Sequence, residues 1–328
     1  MNSATRAREP AAPAAAAEPG ARPDPAMGAG PYDSTDADRT PARTGDGRTA
    51  PDPDPGAGAG AGTDRPVRLW LCADDDLPPQ TAGALAERWL DRREKQTARE
   101  FVSERDRRRY LLAHTLVRRV LARETGLTEP ELVIRRSPRG RPFLRCPAGG
   151  PPGGGDRLDF NLSHSGGYSL LGVARHRRIG VDLELLERLD RVGRPPDAIT
   201  GTFAPEERAW IARAGTDPLR GRRVLRLWTL KEAYAKARGL GLGLPFDSFA
   251  FTLAADRGVL AFRLPGDDPT GRWSFLELEP VPGVLVAVAV QADEGPPPPL
   301  QLHHGFPRAG RGEPDTVTLP EPLGRPGA

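Results

Sequence analysis

Apolar residues recur with the periods of strands and helices only between Val67 and Ala292, and this boundary constrains the fold more than any single motif. Residues 1–66 consist mostly of Ala, Gly, Pro, Asp, Arg and Thr, with runs such as PDPDPGAGAGAG. A segment with so little to bury cannot offset the entropy of ordering it, so it reads as a disordered tail. Residues 293–328, with GPPPP at 295–299 and more Gly, Pro and Arg beyond, read the same way. The 38 Gly and 37 Pro among 328 residues, with 38% hydrophobic content, suit a folded centre between low-complexity ends.

The formal charge of +3 gives no global footprint for nucleic acid. Two cysteines, Cys72 and Cys146, cannot build a disulfide framework and lack metal-site spacing, so they read as buried thiols in a reducing, cytoplasmic setting. Ala11–Ala17 is broken by Pro13 and followed by Glu18 and Pro19, which excludes a secretory signal core. The apolar run Val284–Val290 is too short to span a bilayer.

Within the ordered segment, the pattern predicts strands at 67–73, 131–136, 141–146, 158–161, 168–174 and 179–185. Helices are predicted at 82–91, 92–99, 104–125 and 206–214, the last capped by Thr202. In 67–73 the alternation puts Leu69 and Leu71 on one face. A long helix is predicted over Leu225–Leu244, followed by strands at 248–254, 259–264, 273–279 and 284–291. Two similar halves result, 67–178 and 179–292, each with an early strand, helices and a β meander.

Chemistry concentrates in a few stretches. On the long helix, Trp228, Glu232 and Lys236 share one face, an arrangement that alone describes an ordinary surface ion pair. In GVDLE, Gly180–Glu184, strand geometry turns Asp182 and Glu184 to one side. Two such carboxylates repel each other and want a hard cation such as Mg²⁺. The loop NLSHSGG, Asn161–Gly167, offers Ser163, His164, Ser165 and backbone donors to phosphate oxygens. It is no serine-hydrolase site, because adjacent strand residues point apart and the G-x-S-x-G elbow is missing. Gly140–Pro142 is a turn where backbone can approach a flat ligand.

GVDLE followed by WTLKEAYAK, together with GRPFL, FNLSHSGG and FAPEE in this order, resembles the 4′-phosphopantetheinyl transferase superfamily, and within it the two-half, Sfp-type branch. The resemblance covers essentially the whole ordered segment and leaves out both tails. It implies an α+β fold of two similar halves related by pseudo-two-fold symmetry, with the active site in the cleft between them. It also implies transfer of the phosphopantetheine arm of coenzyme A to a serine of an acyl- or peptidyl-carrier protein, with release of 3′,5′-ADP.

On that template Asp182, Glu184 and Glu232 are the Mg²⁺ ligands, and Glu232 is also the general base, its pKa lowered by the metal and by Lys236. Lys236 and Lys231 face phosphate. Ser163 and His164 meet the diphosphate and the 3′-phosphate, and Arg109 meets the 3′-phosphate. Gly140, Arg141 and Pro142 lie along adenine, while Trp228 and Phe203 are structural. The first half becomes the CoA-binding side and the second carries the metal and the catalytic helix. A monomer is expected, since one chain carries both halves, and neither nucleic acid nor membrane is an expected partner. The competing readings are a transfer-inactive CoA- or carrier-binding protein and an arginine-rich nucleic-acid binder.

Overall fold

The computed structural model describes residues 65–145, 157–187, 199–268, 271–292, 297–308, 315–320 and 323–324. Residues 1–64, and with them nearly all of the expected N-terminal tail, lie outside the described residues, as does Cys146. Strand β1 (Val67–Ala73) leads to helices α1 (Pro79–Trp89), α2 (Arg92–Glu100) and α3 (Glu104–Thr125). Ser103 caps α3 by accepting from the Asp106 amide, and Gly126, left-handed at φ 75°, ends it. A short hairpin follows, β2 (Ile134–Arg136) and β3 (Pro142–Leu144), then β4 (Leu158–Ser165), β5 (Tyr168–Arg175) and β6 (Ile179–Leu185). The second half adds α4 (Pro205–Ala212), α5 (Asp217–Arg238), β7 (Ala250–Leu253), β8 (Val259–Arg263), β9 (Arg272–Val281) and β10 (Val284–Gln291).

The C-terminal segment corrects the expectation of a second disordered tail. It contains β11 (Pro299–His304), β12 (Asp315–Thr318) and β13 (Leu323–Gly324). β11 lies parallel to β1, with Val67 opposite Leu300 and Leu71 opposite His304, and β13 extends the edge of β9. Leu300, Leu302, Phe306 and Leu319 are buried, so a few well-spaced apolar residues outweigh a composition rich in Pro and Gly.

Two sheets result. One has strand order β12-β11-β1-β5-β4, and the other β13-β9-β10-β6. Leu69, Leu71, Val181, Leu183, Val286, Val288 and Leu300 share one apolar core contributed by both sheets. The opposite face of β1, Trp70 and Cys72, packs with Leu112, Leu116 and Val120 of α3. Each half thus sets a 22-residue helix against its own sheet.

Edge strands β4 and β6 meet along a polar seam. Ile179 N–H donates to Asp159 Oδ2 at 2.9 Å, and Val181 N–H donates to Asn161 Oδ1 at 2.8 Å. Asp159, Asn161, Ser163 and Ser165 occupy alternate positions of β4 and so share the face that meets β6. On β6 the other alternation, Gly180, Asp182 and Glu184, turns toward α5. Gly180 marks the contact point, because a Cβ there would lie 1.9 Å from the Ala233 carbonyl oxygen and 2.5 Å from the Ala237 nitrogen. Backbone atoms cannot swing aside as a flexible side chain can. Gly180→Ala is therefore expected to cost about 3 kcal/mol or more, read as a lower urea midpoint with unchanged slope.

Helix boundaries differ from expectation at α5, which spans Asp217–Arg238 in place of 225–244. Thr216 caps it through the Leu219 amide, Pro218 sits in its first turn, and Gly239 at φ 68° stops it. At α4 the cap residue is Ala204, not Thr202; the Glu207 carboxylate reaches back to the Ala204 amide at 3.0 Å and does the work of a cap side chain.

Candidate active site

Where α5 crosses β6, four side chains converge: Asp182 and Glu184 from the strand, Glu232 and Lys236 from the helix. Lys236 Nζ lies 2.6 Å from Asp182 Oδ1 and donates to Ser163 Oγ at 3.0 Å. Ser163 in turn donates to the same Asp182 oxygen at 2.8 Å, and Ser165 donates to Glu184 Oε2 at 2.9 Å. All three carboxylates are buried, Asp182 at 4%, Glu184 at 7% and Glu232 at 7% exposure.

Burying three acids beside a single lysine leaves an electrostatic debt. Burial raises the pKa of Glu232; Lys236 opposes that rise, and Asp182 and Glu184 add to it. Lys236 by itself therefore does not bring the Glu232 carboxyl below its ordinary range. The Lys236 ammonium is held above its usual range: burial works against it, but Asp182 and Glu232 outweigh burial. Asp182 Oδ2 and Glu232 Oε1 are buried with no hydrogen-bond partner. A buried carboxylate oxygen without a donor is costly, and a cation would relieve both. The donor set, all oxygen and all carboxylate, suits a hard divalent ion such as Mg²⁺. Among the described residues no three such groups are already closed into a metal cluster, and Lys236 holds part of Asp182 in its place.

The neighbouring stretch is basic. His164 alternates with Ser163 and so turns to the other side of β4, that of Phe160 and α3. Its pKa is lowered to about 4, first by burial and then by the positive fields of Lys236, His114 and Arg109. Arg109 donates from Nε to Asp74 Oδ2 at 2.8 Å, beside the β4–β5 turn where Gly166 and Gly167 have positive φ. A neutral imidazole among cations is prepared for an anion. In the ligand-free protein the His164 C2 proton is expected to titrate near 4 in NMR spectra. A phosphate bound beside it would stabilise imidazolium and move that midpoint upward; an unmoved midpoint in the presence of the phosphate ligand would detach His164 from the site.

Two expected site residues sit elsewhere. Lys231 is fully buried on the far side of α5, 2.8 Å from Glu207, and donates to the carbonyls of Phe246 and Phe249 at 2.6 and 2.9 Å. It faces no phosphate. Its neighbour Glu232 points to the cleft while it faces the aromatic core, since residues one apart on a helix do not share a face. Phe203 and Phe249 rings flank its ammonium at 5.6 and 4.2 Å. The Arg141 side chain is likewise internal: it pairs with Asp159 at 2.6 Å, donates to the Ile179 carbonyl at 2.9 Å and reaches the Lys236 carbonyl. It ties the 137–141 turn to β6 and α5, which leaves only the backbone of Gly140–Pro142 to face a ligand. Gly140 is left-handed at φ 85° and its N–H closes that turn on the Ser137 carbonyl at 2.9 Å.

Sequence reasoning missed Gly180, Asp159 and Asn161, and it offered Ser165 to phosphate where the structure sets it on β4 against Glu184. The period-2 stripe D-x-N-x-S-x-S on β4 was visible, but its partner strand was not. The same holds for the glycine that opens GVDLE.

Comparisons with known proteins match both halves of the chain. Residues 178–289 match the 4′-phosphopantetheinyl transferase superfamily, and residues 78–176 match the family described as 4′-phosphopantetheinyl transferase, N-terminal. A phosphopantetheinyl transferase of Thraustochytrium sp. is 30% identical over 226 residues, 66% of this chain and 76% of the relative. The 4′-phosphopantetheinyl transferase HetI of Nostoc sp. is 30% identical over 229 residues, 68% of this chain and 87% of that protein. The L-aminoadipate-semialdehyde dehydrogenase-phosphopantetheinyl transferase of Xenopus laevis is 26% identical over 255 residues, 74% of this chain and 80% of the relative. With both halves matched in order, the chain belongs to the 4′-phosphopantetheinyl transferase superfamily.

Proposed function

We propose that this transferase moves the 4′-phosphopantetheine arm of coenzyme A onto a serine of an acyl- or peptidyl-carrier protein in an Mg²⁺-dependent reaction. The observation that carries the reading is the meeting of Asp182 and Glu184 of β6 with Glu232 and Lys236 of α5, two of whose carboxylate oxygens are buried without partners. Glu232 takes the proton of the carrier's serine hydroxyl. The serine oxygen bonds to the phosphorus that bears pantetheine, the bridging P–O bond breaks, and 3′,5′-ADP leaves with the electron pair. Lys236 exchanges its Asp182 partner for phosphoryl oxygens and stabilises their charge. His164 and Arg109, on the α3 side of β4, bind the 3′-phosphate, and the backbone of Gly140–Pro142 receives adenine.

Asp182, Glu184 and Glu232 would hold Mg²⁺, which when bound draws charge from the diphosphate and fixes its orientation. The Sfp-type, two-half organisation is supported by the consecutive family matches along one chain, and it favours a monomer, since neither half needs a second copy. A cytoplasmic setting suits the substrates; no helix among the described residues is long and apolar enough to cross a membrane.

The test is incubation of the full chain with CoA, Mg²⁺ and a panel of apo carrier domains, followed by intact-mass analysis. The mass of one phosphopantetheine arm should appear on at least one carrier and disappear with chelator. CoA binding without a mass gain on any carrier would favour a transfer-inactive binding protein.

A further inference from the structure

We propose that Ser165 is a positioning residue for Glu184, so that the first half of the chain sets the geometry of a carboxylate supplied by the second. The inference rests on the metal reading of Asp182, Glu184 and Glu232 given above. It concerns a residue that this reading does not use.

Three observations carry it. Ser165 and Glu184 are both buried, at 6% and 7% exposure, and the serine hydroxyl donates to Glu184 Oε2 at 2.9 Å. The contact repeats one step along the seam, where Ser163 donates to Asp182 at 2.8 Å. Hydroxyls two apart on β4 therefore face carboxylates two apart on β6, in the register fixed below them by Asp159 and Asn161. Finally, the chain turns immediately after Ser165 at Gly166, φ 56°, whose added Cβ would lie 2.3–2.9 Å from side-chain atoms of Leu185. The β4–β5 turn thus grips the end of β6 twice, by packing at Leu185 and by hydrogen bond at Glu184.

A buried glutamate has three side-chain torsions to fix, and a hydroxyl held on a strand removes most of that freedom. A hydroxyl donor also favours the ionised carboxylate, the form a cation needs. Ser163 is already shared between Asp182 and Lys236, whereas Ser165 serves the other strand carboxylate.

The experiment titrates Mn²⁺ alone into the full chain, without CoA or carrier, and follows free Mn²⁺ by electron paramagnetic resonance. Ser165→Ala is expected to weaken Mn²⁺ binding about 10- to 100-fold, the usual effect of removing an outer-shell partner. Ser165→Cys, of similar size but a weaker donor, should fall between it and the wild type, and it keeps the comparison usable should the alanine variant fold poorly. Metal-free melting temperatures are measured alongside. An Mn²⁺ Kd within twofold of wild type in both variants overturns the inference, as does a loss seen only in the metal-free melting temperature. Failure of the wild type itself to bind Mn²⁺ would remove the metal reading and this inference with it.

Discussion

Glu232→Gln is expected to lower the rate of arm transfer by about 10³-fold, the range lost when a general base is removed, while CoA affinity changes no more than a few-fold. The substitution keeps volume and shape at a position only 7% exposed, so packing along α5 is preserved. What it removes is the carboxylate charge, and with it the capacity to accept a proton, at a side chain whose Oε1 is buried without a hydrogen-bond partner. Lys236 and Ser163 keep their contacts with Asp182, and the basic side of β4 around His164 is untouched. Single-turnover intact-mass kinetics on a responsive carrier, with calorimetry for CoA, separates the two effects. Turnover within tenfold of wild type would sink the assignment of Glu232 as base. Equal loss of CoA affinity and rate would recast it as a binding group only.

Much of the site was legible because its logic is local. Asp182 and Glu184 share a strand face by period 2, and Glu232 and Lys236 share a helix face four residues apart; those periodicities survive folding. The resemblance to a known family then joined strand to helix. Lys231 misled because its neighbour Glu232 faces the cleft, and a motif read as a string hides the 100° turn between consecutive helical residues. Its real partner, Glu207, lies on another helix, and nothing in either segment announces a buried ion pair inside a ring of phenylalanines. Arg141 misled for the opposite reason. The turn it belongs to is correctly placed, but its side chain pairs with Asp159 of β4 and reaches the Ile179 carbonyl and α5, and the last two contacts exist only after the halves have docked. The polar stripe on β4 shows the same limit, since Asp159 and Asn161 satisfy backbone amides of a strand twenty residues away. Composition failed most plainly at the C-terminus, where it averages over residues that act singly.

Deleting residues 293–328 is therefore expected to cripple folding, although this segment lies outside the family pattern. β11 covers the open edge of β1, and its removal would leave a central strand's amides and carbonyls unpaired and free to recruit another chain. Leu300 at 0% and Leu302 at 4% exposure close the core between the two sheets, and Phe306 at 3% fills the core beneath α3. His303 also stacks on Trp70, with ring centroids 4.5 Å apart, and the Gly305 amide donates to the Leu71 carbonyl at 2.7 Å. Burying a large apolar side chain is worth about 1.5–3 kcal/mol. Three such residues, with the loss of a strand ladder, approach the roughly 5–15 kcal/mol by which a domain is stable at all. The entropy regained by the freed segment offsets part of this loss. A net loss of several kcal/mol remains, equivalent to a melting temperature lower by about 10 °C or more. A chain ending at Ala292 should accordingly be recovered mostly as aggregate, and any soluble fraction should melt early by near-ultraviolet circular dichroism. Leu302→Ala, which keeps the strand, is the graded control and should cost about 2–5 kcal/mol. A 1–292 chain that melts within about 3 °C of full length, a difference worth only about 1 kcal/mol, would show that β1 and α3 close their cores without it.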